Sequence, residues 1–292
     1  MQKRNNSRPM LYFGYGSNLD EEDWIRWCRQ RGFKHEGLKE IGPAWIDGFV
    51  LDFNYFSVTR GAGAANLRFL GSGRAATPGA LFEIDEYTRG VLDKKEGHPN
   101  PKYYRRERVT VFTPDGQSHE AYTYIHHTRE KSFHPPNEEY ESLIRNGLNR
   151  LGLPTDWLNG AIREIPKPKF DLVFVYGTLM KGMLRHSVLE EGCEFICKGT
   201  VQGELYDLGN YPGLVVGEKT VYGEVYQAED MLDVIQKLDL IEGSGGSDPL
   251  FSRSIQKVNT EQGEKWAYVY HYAQSLDSCI EIESGNWKDV SQ

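Results

Sequence analysis

Leu11-Tyr12-Phe13-Gly14-Tyr15-Gly16-Ser17-Asn18 near the start of the chain and Leu172-Val173-Phe174-Val175-Tyr176-Gly177-Thr178 past its middle are one signal written twice. Each is a short run of β-branched and aromatic residues that stops on glycine, the pattern of a buried strand running into a turn. Three further pairs follow in the same order. Gly79-Ala80-Leu81-Phe82 answers to Gly223-Glu224-Val225-Tyr226, and Leu92-Asp93-Lys94-Lys95-Glu96-Gly97 answers to Leu238-Asp239-Leu240-Ile241-Glu242-Gly243. Tyr122-Thr123-Tyr124 answers to Tyr268-Val269-Tyr270. The offset between copies drifts from 161 at the first signal to 146 at the third, as expected if the first copy carries longer loops. The pattern is a tandem duplication of two diverged domains, not a solenoid, whose repeats would be far shorter.

Between the copies lies Glu164-Ile165-Pro166-Lys167-Pro168-Lys169. Alternating prolines can neither continue a helix nor sit in a central strand, so the stretch reads as an extended linker at 166–170 between domains at 1–165 and 171–292. A length of 292 residues suits two domains. Each copy reads as strand, glycine turn, variable region, several strands, a short helix closing on LDxxEG, then two more strands. In the first copy Asp20 to Arg31 has helical spacing, with Trp24, Trp27 and Cys28 on one face. Gly97 followed by Pro99 is a helix stop, Lys102 to Arg108 alternates like a strand, and a last helix runs from about Asn137 to Leu151. Strands outnumber helices and long βαβ alternation is absent. The expectation is an α+β fold, each copy built on a mixed, partly closed sheet.

The chain carries 34 basic and 42 acidic side chains, a formal net charge of −8, which argues against a general nucleic-acid or anionic-membrane binder. The imbalance is confined to residues 166–292, which sum to −9 against +1 for residues 1–165. Met1 to Met10 is polar and shows no secretory signal, and Leu172 to Tyr176 is far too short to span a bilayer, so a cytoplasmic location is expected. Cys28, Cys193, Cys197 and Cys279 are too few for a disulfide framework, and no second pair completes a zinc site. His98, His119, His126, His127 and His134 have no metal-ligand spacing, and the glycines at 61, 63, 71 and 73 do not make a dinucleotide loop. No metal and no cofactor are expected.

Two features could carry chemistry. A strand ending in Tyr15-Gly16-Ser17-Asn18 and feeding a helix brings backbone N–H groups to a helix N-terminus, which suits a carboxylate or an oxyanion. Taken alone it is equally a plain turn in which Gly16 supplies the dihedral and Asn18 or Asp20 caps the helix. Glu96 and Glu242 each close an LDxxEG segment, where the glutamate can share the inward face of the leucine one turn before. A carboxylate held there has a raised pKa and can act as a base near neutral pH, although a solvated glutamate before a C-cap glycine fits the same letters. Ser17 and Thr178 lack the His and Asp of a triad and read as loop residues.

Both features, in order and duplicated, resemble the gamma-glutamylcyclotransferase superfamily. The first copy is similar to gamma-glutamylcyclotransferase itself from Leu11 to about Ile162, through Tyr12 to Leu19, Gly63-Ala64-Ala65-Asn66-Leu67, Leu92 to Gly97 and Gly152-Leu153-Pro154. The second copy, Leu172 to about Trp287, resembles the branch with gamma-glutamylamine cyclotransferase and the butirosin-type deglutamylating enzyme. Its matching stretches are Phe174 to Leu179, Leu205-Tyr206-Asp207, Tyr211-Pro212-Gly213 and Leu238 to Gly243. It departs from the pattern at Phe251, where the family has a tyrosine two residues before an arginine, and in its Ser244-Gly245-Gly246-Ser247 loop. The first copy's match there is Tyr104-Arg105.

The resemblance implies two tandem copies of a small mixed β-barrel with flanking helices, and a lyase or acyltransferase reaction. A gamma-glutamyl amide is cleaved by its own α-amine, releasing 5-oxoproline and a free amine or amino acid. The acid/base glutamate falls on Glu96 and Glu242. The substrate-cradling turns fall on Tyr15, Gly16, Ser17, Asn18 and Leu19 and on Tyr176, Gly177, Thr178 and Leu179, with pocket tyrosines at Tyr104, Tyr124 and Tyr140. The implied partner is a small gamma-glutamyl substrate, with no nucleic acid, membrane, metal or cofactor; the sequence carries no signal for an oligomeric state. The leaving amine stays open among amino acids, amines and biosynthetic intermediates. So does the alternative that one copy is a binding or dimerisation module.

Overall fold

A computed structural model describes residues 9–127, 132–163 and 169–290. The expected linker prolines, Pro166 and Pro168, and Met1 to Arg8 lie outside the described residues. The described residues divide into two compact units, 9–111 with 119–163 and 112–118 with 169–290.

In the first unit, β1 (Met10–Gly14) leads through a 3-10 turn at Ser17–Leu19 into α1 (Glu21–Gln30). Asp20 caps that helix by accepting from Asp23 N–H at 2.8 Å, and Trp24 and Cys28 bury its inner face. Then come β2 (Leu38–Asp47), β3 (Phe49–Ser57), β4 (Ala62–Phe69) and β5 (Ala76–Ile84). Next, α2 (Glu86–Glu96) is capped by Asp85 and stopped by Gly97, whose φ of 75° is the left-handed conformation that favours glycine. β6 (Arg105–Phe112), β7 (Ser118–Ile125), α3 (Glu138–Arg150) and α4 (Asp156–Arg163) complete the unit. Five strands close in the order β1-β5-β2-β6-β7, sealed by parallel pairing of β1 with β7 at Tyr12 and Tyr122, while β3 and β4 form a separate hairpin.

The second unit follows the same path: β8 (Leu172–Val175), α5 (Ser187–Glu190), β9 (Cys193–Asp207), β10 (Pro212–Ala228), α6 (Met231–Ile241), β11 (Phe251–Thr260), β12 (Gly263–Tyr272) and the short β13 (Ile280–Glu281). Its sheet runs β10-β8-β12-β11-β9-β13, and β10 also pairs with β9. That extra pairing closes β8-β10-β9-β11-β12 into a ring of the same order as the first, sealed again by a parallel pair, Val173 with Tyr268. The expected partly closed sheet is therefore a closed five-strand barrel in each copy.

At matching places each ring needs a glycine. A Cβ on Gly79 would lie 2.4 Å from the Gly14 carbonyl oxygen, and one on Gly223 would lie 2.3 Å from that of Val175. The last turns of β1 and β8 thus press against β5 and β10, which fixes where each glycine turn begins. Two local readings are corrected. The strand expected from Lys102 starts only at Arg105, because Gly97 and the turn after it carry the chain to Tyr104 first. The sequence reading had no counterpart of α4, whose Leu158 and Ala161 bury against the first unit.

Candidate active site

Glu96 is the last residue of α2, and its half-buried carboxyl faces the turn after β1. Burial pushes its pKa above the ordinary carboxylate value, while Lys95, Arg60 and the Asn18 side chain pull it back. Arg60 donates to Ser17 Oγ at 3.0 Å and lies 4.1 Å over the Tyr140 ring. Lys95 donates to Asn18 Oδ1 at 2.5 Å, and Asn18 Nδ2 donates to Tyr12 OH at 2.8 Å.

The tyrosines expected from the sequence are gathered here. Tyr15 donates to the Tyr124 carbonyl at 2.5 Å, Tyr104 to the Ala65 carbonyl at 2.6 Å, and Tyr140 OH accepts from Ala65 N–H at 3.3 Å. Burial pushes all four phenols up, and the Glu96 charge pushes the same way. Gly16 lets Tyr140 come close, since a Cβ there would sit 3.1 Å from its hydroxyl. Leu19 is placed differently. It is 1% exposed and its N–H already donates to the Gly16 carbonyl, so it holds the turn from beneath.

Glu242 occupies the equivalent place just past α6, facing a small cavity of about 30 Å³. Tyr176, Gly177, Thr178 and Leu179 line that cavity, together with Arg185 and Phe251. Burial lifts its pKa to about 7, opposed by Arg185. Met180 N–H donates to the Gly177 carbonyl, the same turn as Leu19 to Gly16.

A brace recurs behind each glutamate. Tyr124 OH donates to Asp93 Oδ1 at 2.8 Å and Arg106 reaches Asp93 Oδ2 at 2.5 Å. In the second unit Tyr270 OH donates to Asp239 Oδ1 at 2.6 Å and Arg253 pairs with Asp239. The Tyr124 and Tyr270 carbonyls also take the hydroxyls of Tyr15 and Tyr176. Each brace ties the turn, the barrel wall and the helix one turn before the glutamate into one unit. The arginine of this brace is Arg106; the Arg105 quoted beside Tyr104 is exposed. Sequence reasoning missed the Asp, although its repetition in both LDxxEG segments was a signal for it. It missed Arg60 and Arg185 as well, which stand outside the shared motifs. Phe251 removes a hydroxyl that in Tyr104 is engaged by a main-chain carbonyl.

A sequence profile of the family described as "Gamma-glutamyl cyclotransferase, AIG2-like" matches residues 12–142 and 173–289, most of both units.

The chain belongs to that family.

Membership makes it an enzyme of gamma-glutamylcyclotransferase type. The Gamma-L-glutamyl-butirosin B gamma-glutamyl cyclotransferase of Niallia circulans is 36% identical over 120 residues, covering 40% of this chain and 74% of that protein. The Gamma-glutamylcyclotransferase family protein YtfP of Escherichia coli strain K12 is 34% identical over 124 residues, 40% of this chain and 96% of its own. A solved structure named "Gamma-glutamyl cyclotransferase" superposes with a TM-score of 0.45 at 25% identity, over 55% of this chain and 90% of that one. Among the described residues no helix is long and apolar enough to cross a membrane.

The position of Glu242 sets an expected pH dependence. A carboxylate serving as a base must be ionised, so any turnover that depends on Glu242 is expected to rise with pH through about 7. Stability should move the other way. The folded unit binds this proton more tightly than the unfolded chain, so the contribution is present below the ordinary value of 4.5 and is lost as pH rises to about 7. Unfolding scans of Glu242→Gln against the native chain check the sign: the native protein should lose stability relative to the variant across that window.

Proposed function

We propose that the protein cleaves gamma-glutamyl amides by attack of their own α-amine, releasing 5-oxoproline, with Glu96 and Glu242 as the acid/base groups of two sites in one cytoplasmic chain. The observation carrying this reading is the duplicated pairing of a strand-end glycine turn with a glutamate whose pKa burial raises.

The chemistry asks little of the protein. The nucleophile is tethered to the electrophile, so holding the reactive conformer can be worth up to roughly 7–11 kcal/mol. The glutamate carboxylate takes a proton from the α-ammonium. The freed nitrogen bonds to the γ-carbonyl carbon and closes a five-membered ring, leaving a tetrahedral oxyanion. As the oxyanion collapses, the bond to the leaving nitrogen breaks and the glutamate returns its proton to that nitrogen; the second proton of the ring nitrogen passes by way of the same carboxylate to the released amine, which departs as its ammonium. Amides of the glycine turn, with Arg60 in the first unit or Arg185 in the second, offer positive charge to the substrate's carboxylate and the developing oxyanion. Ser17 takes no part as a nucleophile: its Oγ accepts from Arg60 and from Lys95 at 3.4 Å.

The test is a panel of gamma-glutamyl amino acids, gamma-glutamyl amines and gamma-glutamyl-protected aminoglycosides, assayed for 5-oxoproline. Release from at least one member, undiminished by chelator and without nucleotide, is the expected result. Silence on the whole panel removes the proposal.

A further inference from the structure

The residue before each candidate base differs: Lys95 precedes Glu96, whereas Ile241 precedes Glu242. A lysine so placed is an unusual choice. Its side chain is only 6% exposed, and burying an ammonium is costly unless it is paired. The pairing is specific. Nζ donates to Asn18 Oδ1 at 2.5 Å and to Ser17 Oγ at 3.4 Å, and it lies 3.9 Å from Asp23 Oδ2. An ammonium carries donors only, so the Asn18 oxygen must face it. The amide nitrogen is therefore turned the other way, where Nδ2 donates to Tyr12 OH at 2.8 Å and faces the Glu96 carboxyl.

We infer that Lys95 is a positioning residue for Glu96: it locks the Asn18 amide with its N–H side toward the carboxyl and sets a positive charge next to it, offsetting part of the cost of burying the carboxylate. The inference rests on the reading of Glu96 as the base. The second unit shows the arrangement without the device, with Leu179 in place of Asn18 and Ile241 in place of Lys95. There, among the described residues, it is Arg185 that opposes burial of the glutamate.

The other groups facing Glu96 do not supply this effect. Tyr12 and Tyr15 come from β1 and its turn, Tyr55 from β3, Tyr104 from the approach to β6, Tyr124 from β7 and Tyr140 from α3. Burial pushes each of these phenols upward, so they stay neutral around pH 7. The charges acting on Glu96 are then Lys95 and Arg60, with Asp23 acting on Lys95 from α1.

The experiment is a ¹³C titration of the full chain labelled at its glutamate carboxyls, with the Glu96 resonance assigned by its loss in Glu96→Gln. In Lys95→Met the Glu96 midpoint should rise by about one unit or more, because an opposite charge within a few ångströms lowers a carboxylate by roughly 1–3 units. Lys95→Arg should keep it near the native value. Asn18→Leu, which leaves the lysine but breaks the relay, should raise it by a smaller step, and it carries the test if Lys95→Met does not fold. An unmoved midpoint in the folded variants overturns the inference and leaves Lys95 a packing residue. A Glu242→Gln background separates this from the proposed function. Raised midpoints without any turnover would retain the effect on Glu96 and discard its role as base. If turnover persists and its acid limb stays where it was, the positioning role falls while the reaction stands.

Discussion

Replacing Glu96 by glutamine is expected to lower kcat on gamma-glutamyl amino acids by roughly 10²-fold or more, with little change in KM. Glutamine keeps the shape that closes α2 on the turn, but it cannot take the α-ammonium proton. The loss therefore falls on the chemical step. Glu242→Gln should do much less to that substrate class and should instead abolish turnover of gamma-glutamyl amines. The reason lies in the surroundings of the two carboxylates. Two cations, Arg60 and Lys95, act on Glu96 and make the first site the more favourable for an anionic substrate, whereas the Glu242 cavity offers Arg185 among Leu179, Pro212 and Phe251. Steady-state kinetics of both variants on one amino-acid and one amine substrate decide the assignment. If Glu242→Gln abolishes gamma-glutamyl amino acid cleavage while Glu96→Gln leaves it intact, the working halves are reversed.

The largest loss of stability is expected from a single methyl group. Gly79→Ala would drive its Cβ to 2.4 Å from the Gly14 carbonyl oxygen and 2.7 Å from the Phe13 ring, and Gly223→Ala to 2.3 Å from Val175 and 2.5 Å from Phe174. These neighbours are a backbone oxygen and a fully buried ring, so neither can step aside without parting the first strand from the ring. A cost of about 3 kcal/mol or more is expected for each, at or beyond the usual range for overpacking. Gly90, within α2 and with nothing near its would-be Cβ, is the contrast. Gly90→Ala should stabilise by about 0.5–1 kcal/mol through helix propensity. Calorimetric melting of the three variants gives the comparison, and equal Tm shifts for Gly79→Ala and Gly90→Ala would contradict the packing argument.

Much of this was legible because the chain contains its own comparison. One LDxxEG is an unremarkable helix end; two, each following a strand that stops on Tyr-Gly, single out Glu96 and Glu242. The family pattern marks Tyr15, Tyr104, Tyr124 and Tyr140 as one set, and the structure gathers them around Glu96. Ring closure was not legible, since nothing local in Tyr122 or Tyr268 says that it will pair with Tyr12 or Val173. Arg60 and Arg185 were missed for a related reason. They come from unlike positions in the two copies, so the repeat that exposed the glutamates concealed their counter-charges. Leu19 was legible as part of the turn, while the burial of its apolar side chain in the core follows from packing that its neighbours in sequence do not specify.

The parallel seam of each barrel also sets when that barrel can be completed during synthesis. Thr123 reaches back 110 positions to the Phe13 carbonyl, and Tyr176 reaches forward 94 to that of Tyr270. Contacts that distant slow folding, because the loop between them must be ordered before the pairing is rewarded. Until β7 has left the ribosome, β1 has one side unpaired, an open edge of the kind that recruits other chains. The first barrel can close as soon as Ile125 emerges, with its partner strands already made. The second cannot close until β12 has been made, so the free side of β8 waits for the chain to reach Tyr268, its parallel partner at Val173.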